Sequence, residues 1–137
     1  MVYDTLQNLL KLKELNISAN LLTDISGLSA FVNLQSLDIS NNQLTNIDRL
    51  SKCVNLRSLK MNNNQIADLA PLQFLKKLEI LDVTSNSIND YSVLCKLTQL
   101  KELRVSSVSL DTYNLLKESL PNTKIKAQYI YKGKMSS

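Results

Sequence analysis

Four stretches of this sequence repeat one pattern of leucine and asparagine: LKELNISANLL (residues 12–22), LQSLDISNNQL (34–44), LRSLKMNNNQI (56–66) and LEILDVTSNSI (78–88). The copies start at Leu12, Leu34, Leu56 and Leu78, at a constant spacing with no insertion or deletion between them. Self-similarity at a fixed period of this length is the sequence signature of a stacked-repeat architecture. We therefore expect the fold to follow from the repeat.

The apolar positions of the repeat keep one register along the chain. One column, with the same constant spacing, consists of Leu15, Leu37, Leu59, Leu81 and Leu103. Within residues 14–18 the apolar positions alternate with polar ones, which is typical of a short strand with one buried face. Strands of successive repeats would then pair in parallel, at a spacing of about 4.8 Å.

A column of asparagines follows the predicted strands, and we call it the asparagine ladder. Its members are Asn20, Asn42, Asn64 and Asn86. The chain must turn at this point, and burying an unpaired backbone group costs roughly 1–3 kcal/mol. Because an amide side chain both donates and accepts hydrogen bonds, we expect the asparagine ladder to satisfy the backbone of the turn.

Short polar side chains also occupy a column just before the segment that returns towards the next strand. The members of this column are Asp24, Asn46, Asp68 and Asp90. Such residues cap helical turns or form Asx-turns, so we expect 3₁₀ or short α-helical return segments. One carboxylate per repeat does not converge on a single point, so we expect no metal site here.

The four quoted stretches resemble the leucine-rich repeat family, whose pattern is Leu-x-x-Leu-x-Leu-x-x-Asn-x-Leu. The 22-residue period is similar to that of the repeats in phosphatase regulatory subunits, axonemal dynein light chains and bacterial internalins. The resemblance implies an α/β solenoid, a right-handed curved stack of repeats. It places a parallel β-sheet on the concave face and short 3₁₀ or α-helical segments on the convex face.

The expected domain organisation has three parts, which are a partial N-terminal repeat at 1–11, five 22-residue repeats at 12–121, and a degenerate sixth strand with a basic tail at 122–137. No polar capping helix precedes the strand around Leu15, although the ends of a solenoid normally need a cap. We therefore expect a fragment of a longer array, or an uncapped N-terminal edge that makes an end-to-end or partner contact.

The outward positions of the predicted strands form the candidate binding surface. The expected partner-binding residues are Glu14, Asn16, Asp38, Lys60, Asn62, Ile80, Asp82, Thr84, Glu102 and Arg104. We also place on this surface a further column, Ala19, Asn41, Asn63, Ser85 and Ser107. Ile80 is its large apolar residue and the expected contact anchor.

One column of this surface alternates in charge, as Asp38, Lys60, Asp82 and Arg104. Opposite charges on adjacent strands would pair, at about 0.2–1 kcal/mol for each pair. A self-neutralised, solvated sheet and a partner-specific charge pattern both fit this column.

Several classes of function lack the residues that they need. The sequence has no histidine, its two cysteines Cys53 and Cys95 belong to no CxxC motif, and its two glycines form no phosphate-binding loop. Catalytic triads, histidine metal sites and nucleotide-binding loops are therefore absent. We expect no enzyme, no cofactor, no metal ion and no small-molecule substrate, and we assign Cys53 to core packing.

The net charge of +4 comes from the C-terminal segment. Its lysines are Lys117, Lys124, Lys126, Lys132 and Lys134, against Glu118 alone. We interpret them as a solvated basic tail, with a weak anchor for phosphates or anionic lipid as the alternative. The predicted sheet surface lacks basic and aromatic clusters, so we expect no nucleic-acid partner. No apolar run is long enough to span a membrane.

These expectations combine into a non-catalytic protein–protein interaction module that binds another protein through the concave sheet. Two free cysteines fit a reducing compartment, which favours a cytoplasmic regulatory or scaffolding subunit. The alternatives are a surface or secreted recognition and adhesion module of internalin type, and a structural component of a large assembly.

Overall fold

A single parallel sheet runs through the molecule in the computed structural model, which describes residues 8–132. Within that range its six strands follow chain order: β1 (Glu14–Asn16), β2 (Ser36–Asp38), β3 (Ser58–Lys60), β4 (Ile80–Asp82), β5 (Glu102–Ser106) and β6 (Lys124–Gln128). Each pairs with its neighbour in the register of the repeat, so that Leu37 lies between Leu15 and Leu59. The predicted solenoid is confirmed.

The return segments lie behind the sheet, and four of them contain 3₁₀ helices. These helices span Ser26–Ala30, Asp48–Lys52, Ala70–Phe74 and Ser92–Lys96. The preceding Asx side chain accepts a backbone N–H in each case, for example that of Ser26 at 2.7 Å from Asp24 Oδ1. This is the Asx-turn geometry predicted for that column.

The fifth return segment is a longer α-helix, α1 (Leu110–Ser119). Its N-cap residue Ser109 accepts the backbone N–H of Thr112 at 3.1 Å, which satisfies one of the free donors at the helix start. Beyond β6, the backbone of Tyr131 bonds to Val108 and Leu110 on either side of that cap. The fifth repeat and the segment after β6 therefore fold as one unit.

The core between the sheet and the return segments is aliphatic. Leu59 and Leu81 are fully buried in the middle of the stack, whereas Leu15 on β1 and Ile125 on β6 are only partly buried. Interior repeats have a neighbour on both sides, and terminal ones have less cover. Cys53 lies in this core, as predicted, and its burial raises the pKa of the thiol.

The first four strands have three residues each and are shorter than the sequence alternation predicts, whereas β5 and β6 have the expected five. β1 ends at Asn16 instead of residue 18, because the Asn16 side chain accepts the backbone N–H of Ser18 at 2.9 Å and starts a turn. Backbone bonds to the next repeat continue, from Ile17 N to Asp38 O at 2.9 Å and from Ala19 N to Ser40 O at 3.0 Å. The regular strand therefore stops before the pairing between repeats does.

One column was wrongly placed on the outward face of the strands. Ala19, Asn41, Asn63, Ser85 and Ser107 all have φ between 55° and 58°, as does Tyr129 at 56°. This is the left-handed region, which after glycine is entered most readily by Asn and Asp, as at Asn41 and Asn63. The column is the point at which each repeat turns away from the sheet. Residues 1–7 and 133–137, with parts of the predicted terminal repeat and tail, lie outside the described residues.

Candidate functional site

The outward side chains of the six strands form two columns, and we call the surface that they make the sheet face. The first column is Glu14, Ser36, Ser58, Ile80, Glu102 and Lys124. The second column is Asn16, Asp38, Lys60, Asp82, Arg104 and Lys126. Eight of the ten predicted binding residues lie in these columns. Asn62 and Thr84 follow β3 and β4 and lie at the edge of the sheet face.

The predicted ion pairs along the second column are not present. Among residues 8–132, no ion pair links Asp38, Lys60 and Asp82, although the register makes them neighbours. Instead the Asp38 carboxylate accepts both the backbone N–H and the hydroxyl of Ser40. Asp82 accepts the same two groups of Thr84, at 3.0 and 2.7 Å. At the ends of β2 and β4 the carboxylate is thus bonded within the local Asx-turn, and its charge has no counterion among the described residues.

The ion pairs of the sheet face gather at Glu102. Its carboxylate lies 2.8 Å from Lys126 Nζ and 3.4 Å from Arg104 Nη2. The hydrogen bond from Lys126 is the main reason that the pKa of Glu102 lies below its ordinary value, and the positive charges of Arg104 and Lys124 add to it. Lys124 and Lys126 lie on β6, in the segment where the sequence predicts a degenerate sixth strand.

A second carboxylate cluster lies one residue before the first column. Glu79 contacts Arg57 Nη1 at 3.1 Å and Lys101 Nζ at 3.3 Å, so it bridges the repeats on either side. The hydrogen bond from Lys101 is the largest cause of the lowered pKa of Glu79. This cluster joins three successive repeats along the rim of the sheet face.

Ile80 lies near the middle of the sheet face, and 40 % of its surface is exposed. It is the large apolar side chain among the described outward positions of β1–β6. A shallow groove runs beside it, lined by Asp38, Lys60, Asp82 and Arg104. The site thus offers one apolar contact among ordered charges.

The asparagine ladder lies beside the sheet face and joins the repeats through their backbone. Asn64 donates from Nδ2 to Ile39 O of the preceding repeat at 3.0 Å and accepts from Leu44 N at 3.0 Å. Asn42 and Asn86 make the equivalent bonds. The Nδ2 of Asn20 donates within its own repeat, to Ile17 O and Ser18 O.

A further set of inter-repeat bonds lies before the strands and was not predicted. Asn33 donates to Leu10 O at 3.1 Å, and Asn55 donates to Val32 O at 2.9 Å. Gln99 makes a similar bond to Leu75 O at 3.2 Å. The signal that could have revealed this set is the 22-residue spacing of Asn33 and Asn55.

The repeat is also found by comparison with known families. A model described as leucine-rich repeats (two copies) matches residues 32–74, and one described as a leucine-rich repeat matches residues 74–93. This chain is a leucine-rich repeat protein. Within residues 8–132 of this leucine-rich repeat protein, no helix is long and apolar enough to cross a membrane, and no group of three His, Cys, Asp or Glu could hold a metal ion.

Solved structures of bacterial leucine-rich repeat proteins are similar to the chain. Internalin C2 of Listeria monocytogenes is 28 % identical, with a TM-score of 0.69, over 90 % of this chain and 53 % of its own. The internalin inlF of the same species is 27 % identical, with a TM-score of 0.72, over 94 % and 45 %. A leucine-rich repeat protein of Leptospira interrogans is 21 % identical, with a TM-score of 0.71, over 88 % and 38 %, and it shows the fold alone.

This leucine-rich repeat chain therefore spans about half of those structures or less. Among curated proteins, no match was found. The repeats are related to internalin repeats, and the leucine-rich repeat fold supports a role as a protein-interaction module.

Proposed function

We propose that the sheet face holds a partner protein and that the chain acts as a non-catalytic interaction module. The observation that carries this proposal is the exposed Ile80 surrounded by charges that have no counterion among the described residues, namely Lys60 and Asp82. Charged groups of a binding surface find their counterions on the partner and so select it. If Lys60 and Asp82 were already paired within the chain, they would contribute less to the recognition of a partner.

The rigidity of the repeats supports the same proposal. Each outward side chain of the sheet face stands on a strand that is bonded to its neighbours, at a spacing of about 4.8 Å. Asp38 and Asp82 are further held by the turns that they form with Ser40 and Thr84. Such side chains lose little freedom when a partner binds, which lowers the entropic cost of association.

The composition of the sheet face predicts a polar interface. Serine, asparagine and charged residues surround Ile80, and the described strands place no aromatic side chain on this face. Aromatic anchors carry much of the affinity in many interfaces. We therefore expect modest affinity, with specificity set by charge and by bridging water.

A double variant tests the proposal. Ile80→Asp with Asp82→Lys removes the apolar contact and inverts a charge beside it, so we expect a marked loss of partner capture from a native lysate. The matched control is Phe74→Asp, since Phe74 is 53 % exposed on the opposite side of the molecule. Circular dichroism should show both variants folded. Proteins retained equally by the double variant would place the binding surface elsewhere.

The cellular setting is a separate part of the proposal. Cys53 and Cys95 are both free thiols, which supports an intracellular regulatory or scaffolding subunit. The similarity to internalin C2 over 90 % of the chain supports the alternative, a surface or secreted recognition module of internalin type. Protease treatment of intact cells, together with a search of the medium, decides between them, because a surface protein is digested on the cells and a secreted one is found in the medium.

The N-terminal edge is a second candidate contact. Leu15, Ile17 and Leu22 on this side are only partly buried, whereas the residues at the same positions of the next repeat, Leu37, Ile39 and Leu44, are buried. We propose that this edge stacks on another protein or on a further repeat. The variant Leu22→Lys should weaken such stacking without changing capture at the sheet face, and capture and stacking that fell together would argue against two separate surfaces.

A further inference from the structure

The charges of the sheet face are arranged so that its two ends complement each other. Counting strands inward from both ends, Glu14 on β1 corresponds to Lys124 on β6, and Asp38 on β2 corresponds to Arg104 on β5. At the centre, Lys60 on β3 corresponds to Asp82 on β4. Every corresponding pair in which both residues are charged therefore joins opposite charges.

A second copy related by a two-fold axis parallel to the strands would bring these corresponding residues into contact. If the axis passes between β3 and β4 and above the sheet face, rotation keeps each residue's position along its strand but reverses the order of the strands. The β1 strand of one copy then lies over β6 of the other, and β3 lies over β4. Such an interface is isologous, so each of the three pairs occurs twice.

We propose that the sheet face binds a second copy of this chain in this orientation. The inference rests on the proposed function of the sheet face as a protein-binding surface, and it names the partner. It predicts six ion pairs between the copies, namely Glu14 with Lys124, Asp38 with Arg104 and Lys60 with Asp82, each formed in both directions.

Five of the six charged groups form no ion pair among the described residues, and the sixth, Arg104, contacts Glu102 through Nη2 at 3.4 Å. Among residues 8–132, Glu14, Lys60 and Lys124 are exposed and form no ion pair. Asp38 and Asp82 are bonded only to neutral groups of Ser40 and Thr84. Their charges are therefore held in place but not neutralised, which is the condition for pairing across an interface.

Ile80 also fits the two-fold arrangement. It lies on β4, next to the axis, where it would cover Ser58 of the second copy and lie diagonally across from the second copy's Ile80. The two exposed isoleucines would form a small apolar centre with the six ion pairs around it, as interfaces commonly do.

The other in-plane axis, across the strands, does not give this match. It would place each strand over itself with the two columns exchanged, so that Lys124 of one copy lay over Lys126 of the other and Asp82 lay over Ile80. Among the residues of the two columns, Glu102 with Arg104 would be the single pair of opposite charges. Like charges at such a contact oppose association. The charge order therefore selects the axis parallel to the strands.

Sedimentation equilibrium of the full chain is the first measurement. At an ionic strength of about 0.01 M, where screening is weak, we expect the weight-average mass to rise with concentration from 15.4 kDa towards twice that value. At about 1 M salt, where charges are screened within a few ångströms, the mass should return to that of the monomer. A monomer at all concentrations in low salt would overturn the proposal.

Two charge-reversed variants test the orientation. Lys60→Glu with Arg104→Glu makes the face acidic, and Asp38→Lys with Asp82→Lys makes it basic. Each variant alone should dimerise at least about tenfold more weakly, whereas an equal mixture should form the heterodimer, because every reversed residue then meets its opposite charge. A mixture that stays monomeric, or variants that dimerise as well as the natural chain, would contradict the two-fold model.

The controls separate folding, net charge and the proposed function. Arg49→Glu with Lys52→Glu makes the same change of net charge on the opposite side and should leave dimerisation unchanged. Asp38→Asn with Asp82→Asn keeps an acceptor oxygen for each turn, so a weaker dimer there reflects charge and not misfolding. A monomeric natural chain whose capture of other proteins still depends on Ile80 would overturn only the dimer. Dimerisation that resisted Ile80→Asp with Asp82→Lys would count against both.

Discussion

The left-handed column and the asparagine ladder show how single residues allow 22-residue repeats to stack. The turn after each strand needs a residue with positive φ, and the asparagine that follows pairs the backbone that the turn leaves free. Asn64 is only 8 % exposed and has bonds to both the preceding and its own repeat. Asn20, at the start of the ladder, is exposed and bonds within its own repeat.

This contrast gives a prediction for the ladder. Asn64→Ala leaves Leu44 N without a partner and Ile39 O with its bond from Asn42 alone, and we expect the free energy of unfolding to fall by roughly 1–3 kcal/mol. Asn20→Ala is the matched control and should change it by only a few tenths, since water can replace its bonds. Urea denaturation followed by circular dichroism measures both, and equal losses would mean that the inter-repeat bonds contribute little.

A second residue-scale prediction concerns the left-handed turn. Ser85 has φ of 55° and an exposed side chain. A β-branched residue is strained at this angle, so we expect Ser85→Val to lower stability by about 1–2 kcal/mol. Ser85→Gly should be neutral or slightly stabilising. Thermal melts compare the two variants, and if valine were tolerated as well as glycine, the positive φ would not be required.

At the scale of elements, neighbouring strands are joined by side chains as well as by the sheet. Glu79 links the third, fourth and fifth strand segments through Arg57 and Lys101. Glu102 links β5 to β6 through Lys126. Both carboxylates have pKa values below the ordinary value of 4.5. Their ion pairs therefore stabilise the folded chain above that pH, and the stabilisation is lost as the pH falls through the lower folded-state pKa.

The lowered pKa values of Glu79 and Glu102 predict a loss of stability in acid. Between about pH 5 and about pH 3, the melting temperature of the natural chain should fall more steeply than that of Glu79→Gln with Glu102→Gln, because the variant has no such protons to take up. Glu118→Gln, on α1 and outside both clusters, controls for the loss of a carboxylate. If the melting temperatures of the natural chain and the double variant fell in parallel with pH, these ion pairs would not contribute to the loss of stability in acid.

For the whole molecule, stability depends on the position of a repeat in the stack. Residues in one structural column have the same environment in principle, yet Leu59 is fully buried and Leu15 is only partly buried. The repeats on either side of β3 provide that cover. In a solenoid, each repeat is stabilised mainly by its nearest neighbours.

Two variants in the same column test this dependence on position. Leu59→Ala creates a cavity in the middle of the core, and we expect a loss of about 2–5 kcal/mol. Leu15→Ala makes the same chemical change at β1 and should cost less than half as much, because the site is already partly open. Denaturant titrations give both values. Equal losses would show that the N-terminal repeat is as well covered as the central ones.

The sequence by itself determined the fold, the parallel register and the buried columns. The same pattern of apolar and polar residues recurs every 22 residues, so equivalent residues of neighbouring repeats lie side by side. It also located Ile80 and the charges of the sheet face. Only the tertiary structure decided what those charges do. Asp38 bonds to the adjacent turn instead of to Lys60, and Lys126 on β6 pairs with Glu102. Both outcomes depend on which groups the folded backbone brings within bonding distance, and residue spacing does not encode that distance.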